Sequence, residues 1–478
     1  MAGASAWLYA RSPLWLQNVG LSLYGLSYRH ERFGGEFDRY VDEFRSRDRC
    51  SAPQLETYVE KQLATVLLQA FDEVPYYRTH WGAAQIERAD LPGLGTAGLH
   101  RLPITPKTDV RERPEAFVSE VAAKRGGLHR YYTSGSTGTP ITAICSSDDH
   151  RRFFAAREVR SFGWAGTSIL RPRSMMGGRM IVPRQDAPPP YYRRNWAEKQ
   201  VYFSAYHLSA AHAGNYVDGL NRYRPELLTG YAYSHYLLAQ FMLDQGRKLC
   251  YQPRALVLSS EKTTPEMKTT ILAAFGARAY EEYSAVENCM LATECEHGRL
   301  HVNPDFGIVE IVDADGRPVP PGREGRIICT GLVNRTQLLI RYDIGDVGSW
   351  STDPCACGRN HLPVLEQLVG RLEDIIIGRN GHVLARIHGI FVNLPNVLEG
   401  QLIQESFDLI RVRVVAKDGF GETESQLIRQ RLCDERFGDM QIAIERVPAL
   451  ERTARGKFRG VINQLPRDVL AQAVLGKA

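Results

Sequence analysis

The chain has 478 residues, 44% hydrophobic and 24% charged, with a formal net charge of +5 and an isoelectric point near 8.6. That length exceeds one compact core and predicts two or three domains, and the ordinary composition excludes a disordered chain. The mild basicity suits a small anionic ligand rather than nucleic acid, because Arg151-Arg152 and Arg193-Arg194 are isolated pairs and not a basic stripe.

Residues 1–26 are apolar and aromatic, with Trp7, Leu8, Tyr9, Leu14, Trp15 and Leu16, but Arg11 and Pro13 interrupt them. They read neither as a secretory signal nor as a membrane span, which points to a cytoplasmic protein. A helix packed on the core is the preferred reading; peripheral contact with a membrane or a partner is the alternative. Residues 54–72 repeat Leu55, Val59, Leu63, Val66 and Leu67 on one helical face, followed by a break at Pro75-Tyr76-Tyr77. A helix is predicted from Asp148 or Asp149 to near Gly163. Strand 255–260, helix 264–275 closed at Gly276, and strand 278–284 form a parallel βαβ unit. From about 307, short strands including "GIVEIVD", "GRIICTG" and "LLIRYD" predict an antiparallel or barrel-like piece. Then "DIII", an Asn380-Gly381 turn, strand 409–416, helix "TESQLIRQRLCDERF" and strand "QIAIERV" form a separate set. The fold class is therefore α/β: a large domain, 1–372, of parallel and mixed sheets with helices and a barrel-like β segment, and a small α+β domain, 373–478.

Four stretches carry chemistry. "TSGSTGTP" (133–140) sets Thr133, Ser134, Ser136, Thr137 and Thr139 around Gly135 and Gly138. Backbone N–H groups and hydroxyls in such a turn can cradle phosphates, although no Walker lysine follows. "YEEYSAVEN" places Glu287 just past a parallel strand, where a carboxylate can hold Mg²⁺ on a phosphate. "LLIRYDIGDVG" offers Asp343 and Asp346, either of which could accept ribose hydroxyls. "RTARGKFRG" carries Lys457 among arginines. Each alone is equally a solvated turn or a surface loop.

Taken together and in this order, with a G-R-x-x-D junction at 370–374, these motifs resemble the adenylate-forming superfamily of acyl-CoA synthetases and adenylation domains. The resemblance is closest to the phenylacetate–CoA ligase-like branch and its capsular polysaccharide-associated subgroup, carried also by "SPLWLQNVGLSLYGLSYRHERFGGEF" and "FSAYHLS". It covers nearly the whole chain. It implies an AMP-forming ligase that couples ATP and Mg²⁺ to activation of a carboxylic acid and transfers the acyl group, with CoA as the default acceptor. An amine or hydroxyl acceptor in glycan assembly is the alternative. A zinc-stabilised binding protein that has lost activity is a further one.

The resemblance implies that residues 133–139 wrap the ATP phosphates. Ser259, Ser260, Glu261 and Tyr283 line the adenine. Asp346 binds ribose, with Arg341 near ribose or phosphate, and Glu287 holds Mg²⁺. Arg371 with Glu373 or Asp374 marks a hinge, and Lys457 is the catalytic lysine of a mobile small domain. His207, Tyr231, Tyr233 and Ser284 are candidates for the acid pocket. Departures from the family pattern are Ser284 after the tyrosine, Leu372-Glu373-Asp374 at the hinge, and Ile141 after the loop proline.

Nine cysteines without an export signal argue against a disulfide framework. "ECEHGRLH" and "CACGRN" instead bring thiols and imidazoles into two clusters. Cys295, His301, Cys355 and Cys357 are the expected ligands of a structural zinc, with His297 as the spare. Relatives in the resembled branch carry zinc at matching positions. Four protein ligands leave no open position, so the metal would pin the β segment to the nucleotide sheet.

Overall fold

The computed structural model describes residues 8–132, 141–182, 184, 187–371, 376–378, 383–384, 388–391, 394, 396–432, 440–451, 458–466 and 469. One twelve-stranded sheet organises the chain as far as Arg371. Its five central strands are parallel, in the order Ala279–Ser284, Ala255–Ser259, Leu227–Tyr231, Arg173–Gly177 and Gln200–Ser204. Antiparallel strands extend it at both ends.

Helix Pro265–Phe275 shows how local chemistry builds the parallel part. The Thr264 hydroxyl accepts from the Met267 amide, Pro265 occupies the first turn, and Gly276 takes the left-handed conformation at φ +68° that ends the helix. Helix Ala52–Glu73 buries the predicted Leu55, Val59, Leu63, Val66 and Leu67 stripe. Pro75 ends that run by opening the next helix, Pro75–Ala83, where its missing N–H has no intrahelical partner to lose.

Two expectations are corrected. The strands after residue 307 do not close into a barrel among the described residues. Val364–Arg371 pairs on one side with Tyr342–Trp350 and on the other with Leu300–Val302, so both of its edges go into extending the sheet. The strand expected over 338–343 begins only at Tyr342, because Arg341 sits at φ +47°, outside extended geometry.

The core divides by layer. Helices Ala213–Tyr223, Ala232–Asp244 and Pro265–Phe275 bury Tyr216, Leu237 and Ile271 with the parallel sheet, and helices Phe37–Arg47 and Ser147–Arg157 contribute Phe37, Phe44 and Phe154 to a second cluster. A four-stranded sheet follows, in the order Gln441–Arg446, Leu409–Ala416, Val397–Gln404 and Val461–Asn463. Alternate residues Ile410, Val412 and Val414 form its core with Ile428 from helix Glu422–Leu432. This sheet meets the larger one where Phe458 stacks on Tyr233 at 4.2 Å and Lys417 pairs with Asp244 at 2.8 Å. Residues 133–140, Glu373, Asp374, Asn380-Gly381 and Lys457 lie outside the described residues.

Candidate active site

The carboxyl ends of the parallel strands gather the candidate residues along one edge. Register places Ser259 beside Tyr231 and Glu282, and Ser284 beside Leu291. Glu287 lies in the turn between those last two strands. Asp346 comes from a strand 59 residues further on, and its backbone sits opposite Arg371. The hairpin strands His129–Tyr132 and Thr142–Cys145 pair Tyr132 with Thr142 and so bracket the expected phosphate loop.

Two tyrosines orient the two acids. Tyr283 donates to Asp346 Oδ2 at 2.7 Å, and Tyr342 donates to Glu287 Oε1 at 3.0 Å. Burial, reinforced by the facing carboxylate, pushes both phenol pKa values well above the usual range. Each hydroxyl therefore stays a donor at neutral pH. Tyr342 is itself held from outside the motif: Thr105 receives the Asp343 amide and donates its own amide to Arg341, while Lys107 Nζ donates to the Ile344 carbonyl at 2.5 Å. Sequence reading missed Tyr342, Thr105 and Lys107. Tyr342 lies within a quoted motif, but residues 105–107 gave no signal because their partners are more than 230 residues away. Ser260, Asn288 and Arg341 all adopt positive φ, which concentrates backbone strain in the turns of this edge.

Other predicted residues have different neighbours. The Arg341 guanidinium is buried and holds Glu310 at 3.0 Å and the carbonyls of Leu102 at 2.6 Å and Gly316 at 2.8 Å, so it braces those loops. The His207 ring nitrogens are engaged by Ser204 at 2.7 Å and the Arg184 carbonyl at 2.8 Å, and its ring stacks on Tyr191. Tyr233 stacks on Phe458, and its amide donates to Glu261 at 2.9 Å. Ser284 lies 3.3 Å from Glu282, which also pairs with Arg157. Tyr231 and Ser259 end their parallel strands, and Ser260 follows directly.

Cys295, His301, Cys355 and Cys357 converge, with their candidate ligand atoms all within 4.8 Å of one another. The Cys295 and Cys355 sulfurs are 3.6 Å apart, close to the roughly 3.8 Å that two 2.3 Å arms make at a tetrahedral zinc and far from a disulfide bond. His301 Nδ1 lies 3.0 Å from the Leu362 carbonyl, which can only accept. That proton assignment leaves Nε2, 3.3 Å from Cys357 Sγ, as a lone-pair donor. The amides of His297 and Arg359 point at the sulfurs of Cys295 and Cys357, as thiolate ligands require. His297 contributes its backbone here. The donor set fits a closed structural zinc. By Cys295 its strand has run back from Ser284 toward the opposite edge of the sheet, so the cluster stands apart from the acid pair.

The CapK C-terminal domain family model matches residues 376–464. Protein CapK of Staphylococcus aureus is 26% identical across 96% of this chain and 99% of its own. Phenylacetate-coenzyme A ligase of Thermus thermophilus is 25% identical across 72% of this chain and 77% of its own. These similarities support the adenylate-forming superfamily. Within it, the likeness is to the phenylacetate–CoA ligase-like branch and its capsule-associated subgroup. A solved structure of 2-hydroxyisobutyryl-CoA ligase with R3-HIB-AMP, in the postadenylation state, shares the fold at a TM-score of 0.66 and 21% identity, covering 87% of this chain and 90% of that one. As in other adenylate-forming folds, a large α/β body precedes a small C-terminal domain.

Proposed function

We propose that this AMP-forming ligase activates a carboxylic acid as its acyl-adenylate at the edge holding Glu287 and Asp346, and then passes the acyl group to CoA. The observation that carries this reading is the pair of acids drawn from distant segments and each fixed by a tyrosine hydroxyl. Two oriented carboxylates, Glu287 just past a strand end and Asp346 within strand Tyr342–Trp350, together with a loop sequence rich in Ser, Thr and Gly, suit a nucleoside triphosphate.

In this reading the acid's carboxylate attacks the α-phosphorus of ATP, and the bond from that phosphorus to the α,β-bridging oxygen breaks to release pyrophosphate. Asp346 accepts the ribose hydroxyls, with Tyr283 fixing its rotamer. Glu287 holds Mg²⁺, which when bound offsets phosphate charge. Ser259, Ser260 and Glu261 border the adenine, and Tyr231 borders the acid. Residues 133–139 wrap the phosphates. Lys457 supplies a second positive charge, and the stacking of its neighbour Phe458 on Tyr233 supports a small domain that closes over this edge. Residues 371–374 form the hinge between residues 1–372 and the small domain. Rotation about that hinge withdraws Lys457 and admits the acceptor.

The test is pyrophosphate release across aryl, fatty and amino acids, with CoA and amine acceptors in parallel arms. Release that depends on both an acid and ATP is expected, with AMP as co-product. Lys457→Ala is expected to abolish adenylate formation while ATP binding persists. Normal adenylation in that variant overturns the lysine's role, and ADP as the product overturns the reaction class. Acyl transfer to an amine but not to CoA overturns the choice of acceptor alone.

A further inference from the structure

Helix Leu14–Phe33 is inverted. Its inward face carries Gln17, Ser22, Gly25, Tyr28 and Arg32, all buried. These are specific polar seats. Gln17 donates to the Tyr9 and Ser12 carbonyls and accepts from Arg193 at 2.5 Å, Ser22 accepts from the Trp196 amide, and Arg32 pairs with Glu198. A side chain at Gly25 would strike Asn195. The outward face is apolar. Trp15, Leu16, Val19, Leu23 and Leu26 fall within an arc of about 100° at helical spacing. Trp15 is 65% exposed, Leu23 64% and Leu26 58%. Soluble helices turn that stripe inward, as Ala52–Glu73 does. Here the core does not use it.

The exposed charge beside the stripe is positive, and the helix's one acid, Glu31, is turned against His150 and Tyr131. Residues 1–30 contain no Asp or Glu. Exposed Arg29 lies on one flank of the stripe, and exposed Arg11 precedes the helix. The adjoining strand end adds exposed Arg194 and Trp196, held against the helix through their backbone amides by Asn18 and Ser22. The acid nearest in that segment, Glu198, is buried against Arg32 and Arg173. A second copy of the chain would set the same patch against itself and bring like-charged arginines together without a carboxylate to pair them. An anionic bilayer supplies the missing charge, takes up the leucines, and accommodates indole rings at its headgroup level.

We propose that this face docks the protein peripherally on a bilayer bearing anionic lipid, with the helix axis in the plane of the interface. No described helix is long and apolar enough to cross a membrane, so the contact is superficial.

The test is flotation of the full chain with phosphatidylcholine vesicles, with and without phosphatidylglycerol. Binding is expected only with phosphatidylglycerol, together with a blue shift in tryptophan emission and loss at high salt. Leu23→Glu/Leu26→Glu is expected to lower the partition by about tenfold or more. Acid-dependent pyrophosphate release should be unchanged in that variant, because both side chains project away from the core. Equal flotation of wild type and variant overturns the proposal, as does absence of wild-type flotation on either vesicle. A concentration-dependent dimer that the variant abolishes, without vesicle binding, assigns the face to a second copy and equally overturns it.

Discussion

Tyr342→Phe removes one oxygen atom and tests whether Glu287 must be oriented to work. Tyr342 is fully buried and Glu287 is 4% exposed, so bulk water does not replace the lost donor. A hydrogen bond to a charged acceptor contributes about 1.5–3 kcal/mol, which corresponds to roughly 10–150-fold at 1.4 kcal/mol per decade. Partners that orient a metal-binding carboxylate have effects of the same size, about 10–100-fold in affinity or activity. The variant should therefore need a higher Mg²⁺ concentration for half-maximal pyrophosphate release and show a lower kcat/KM at any fixed Mg²⁺. Tyr283→Phe provides the contrast. It frees Asp346, so the expected change is a higher KM for ATP with the Mg²⁺ midpoint unmoved. Thermal unfolding of both variants checks that the fold survives. An unchanged Mg²⁺ midpoint and kcat/KM in a folded Tyr342→Phe protein refutes the assignment of Glu287. A Mg²⁺ shift in Tyr283→Phe instead would exchange the roles of the two acids.

Other outcomes follow from the packing. Arg341→Ala leaves Glu310 and three loop carbonyls without their donor, and calorimetry should show a loss of about 3 kcal/mol or more, while the folded fraction keeps its KM for ATP. Metal analysis of the purified protein should find one zinc per chain, and Cys355→Ser should lose both the metal and thermal stability while a folded residue of activity retains its ATP dependence. Asp305 is wholly buried; burial opposes its charge, but Arg160 and Arg47 outweigh that and lower its pKa. Because the folded pKa lies below the unfolded one, its stabilisation is complete above roughly pH 5 and is lost as pH falls through the folded value, below about 4. Urea titrations of wild type and Asp305→Asn should differ at neutral pH and converge in acid.

Local chemistry was legible where the information is local. The stripe in Ala52–Glu73, the Thr264 cap and the strand Leu409–Ala416 could be read from spacing, because each depends on neighbours within a few positions, whereas the convergence of Cys295 and His301 with Cys355 and Cys357 spans about 60 residues. Glu287 was legible as an acid just past a strand, while spacing left Asp343 and Asp346 open and put both after a strand that in fact runs through them. The partners of Arg341 were not legible, because the loop carbonyls it holds lie 25 to 241 residues away and only folding brings them to it.

The sequence alone determined which residues have helical and strand periodicity, which thiols and carboxylates exist, and which family pattern they follow. Tertiary structure decided what those groups face. It joined Tyr283 to Asp346 across 63 residues and Tyr342 to Glu287 across 55, and it extended the expected barrel as one sheet. It also turned the first long helix with its apolar stripe outward. Periodicity records that a helix has two faces. Which face goes inward depends on the partner surface, and here a set of buried hydrogen bonds to Arg193, Trp196 and Glu198 outweighed the usual burial of leucine.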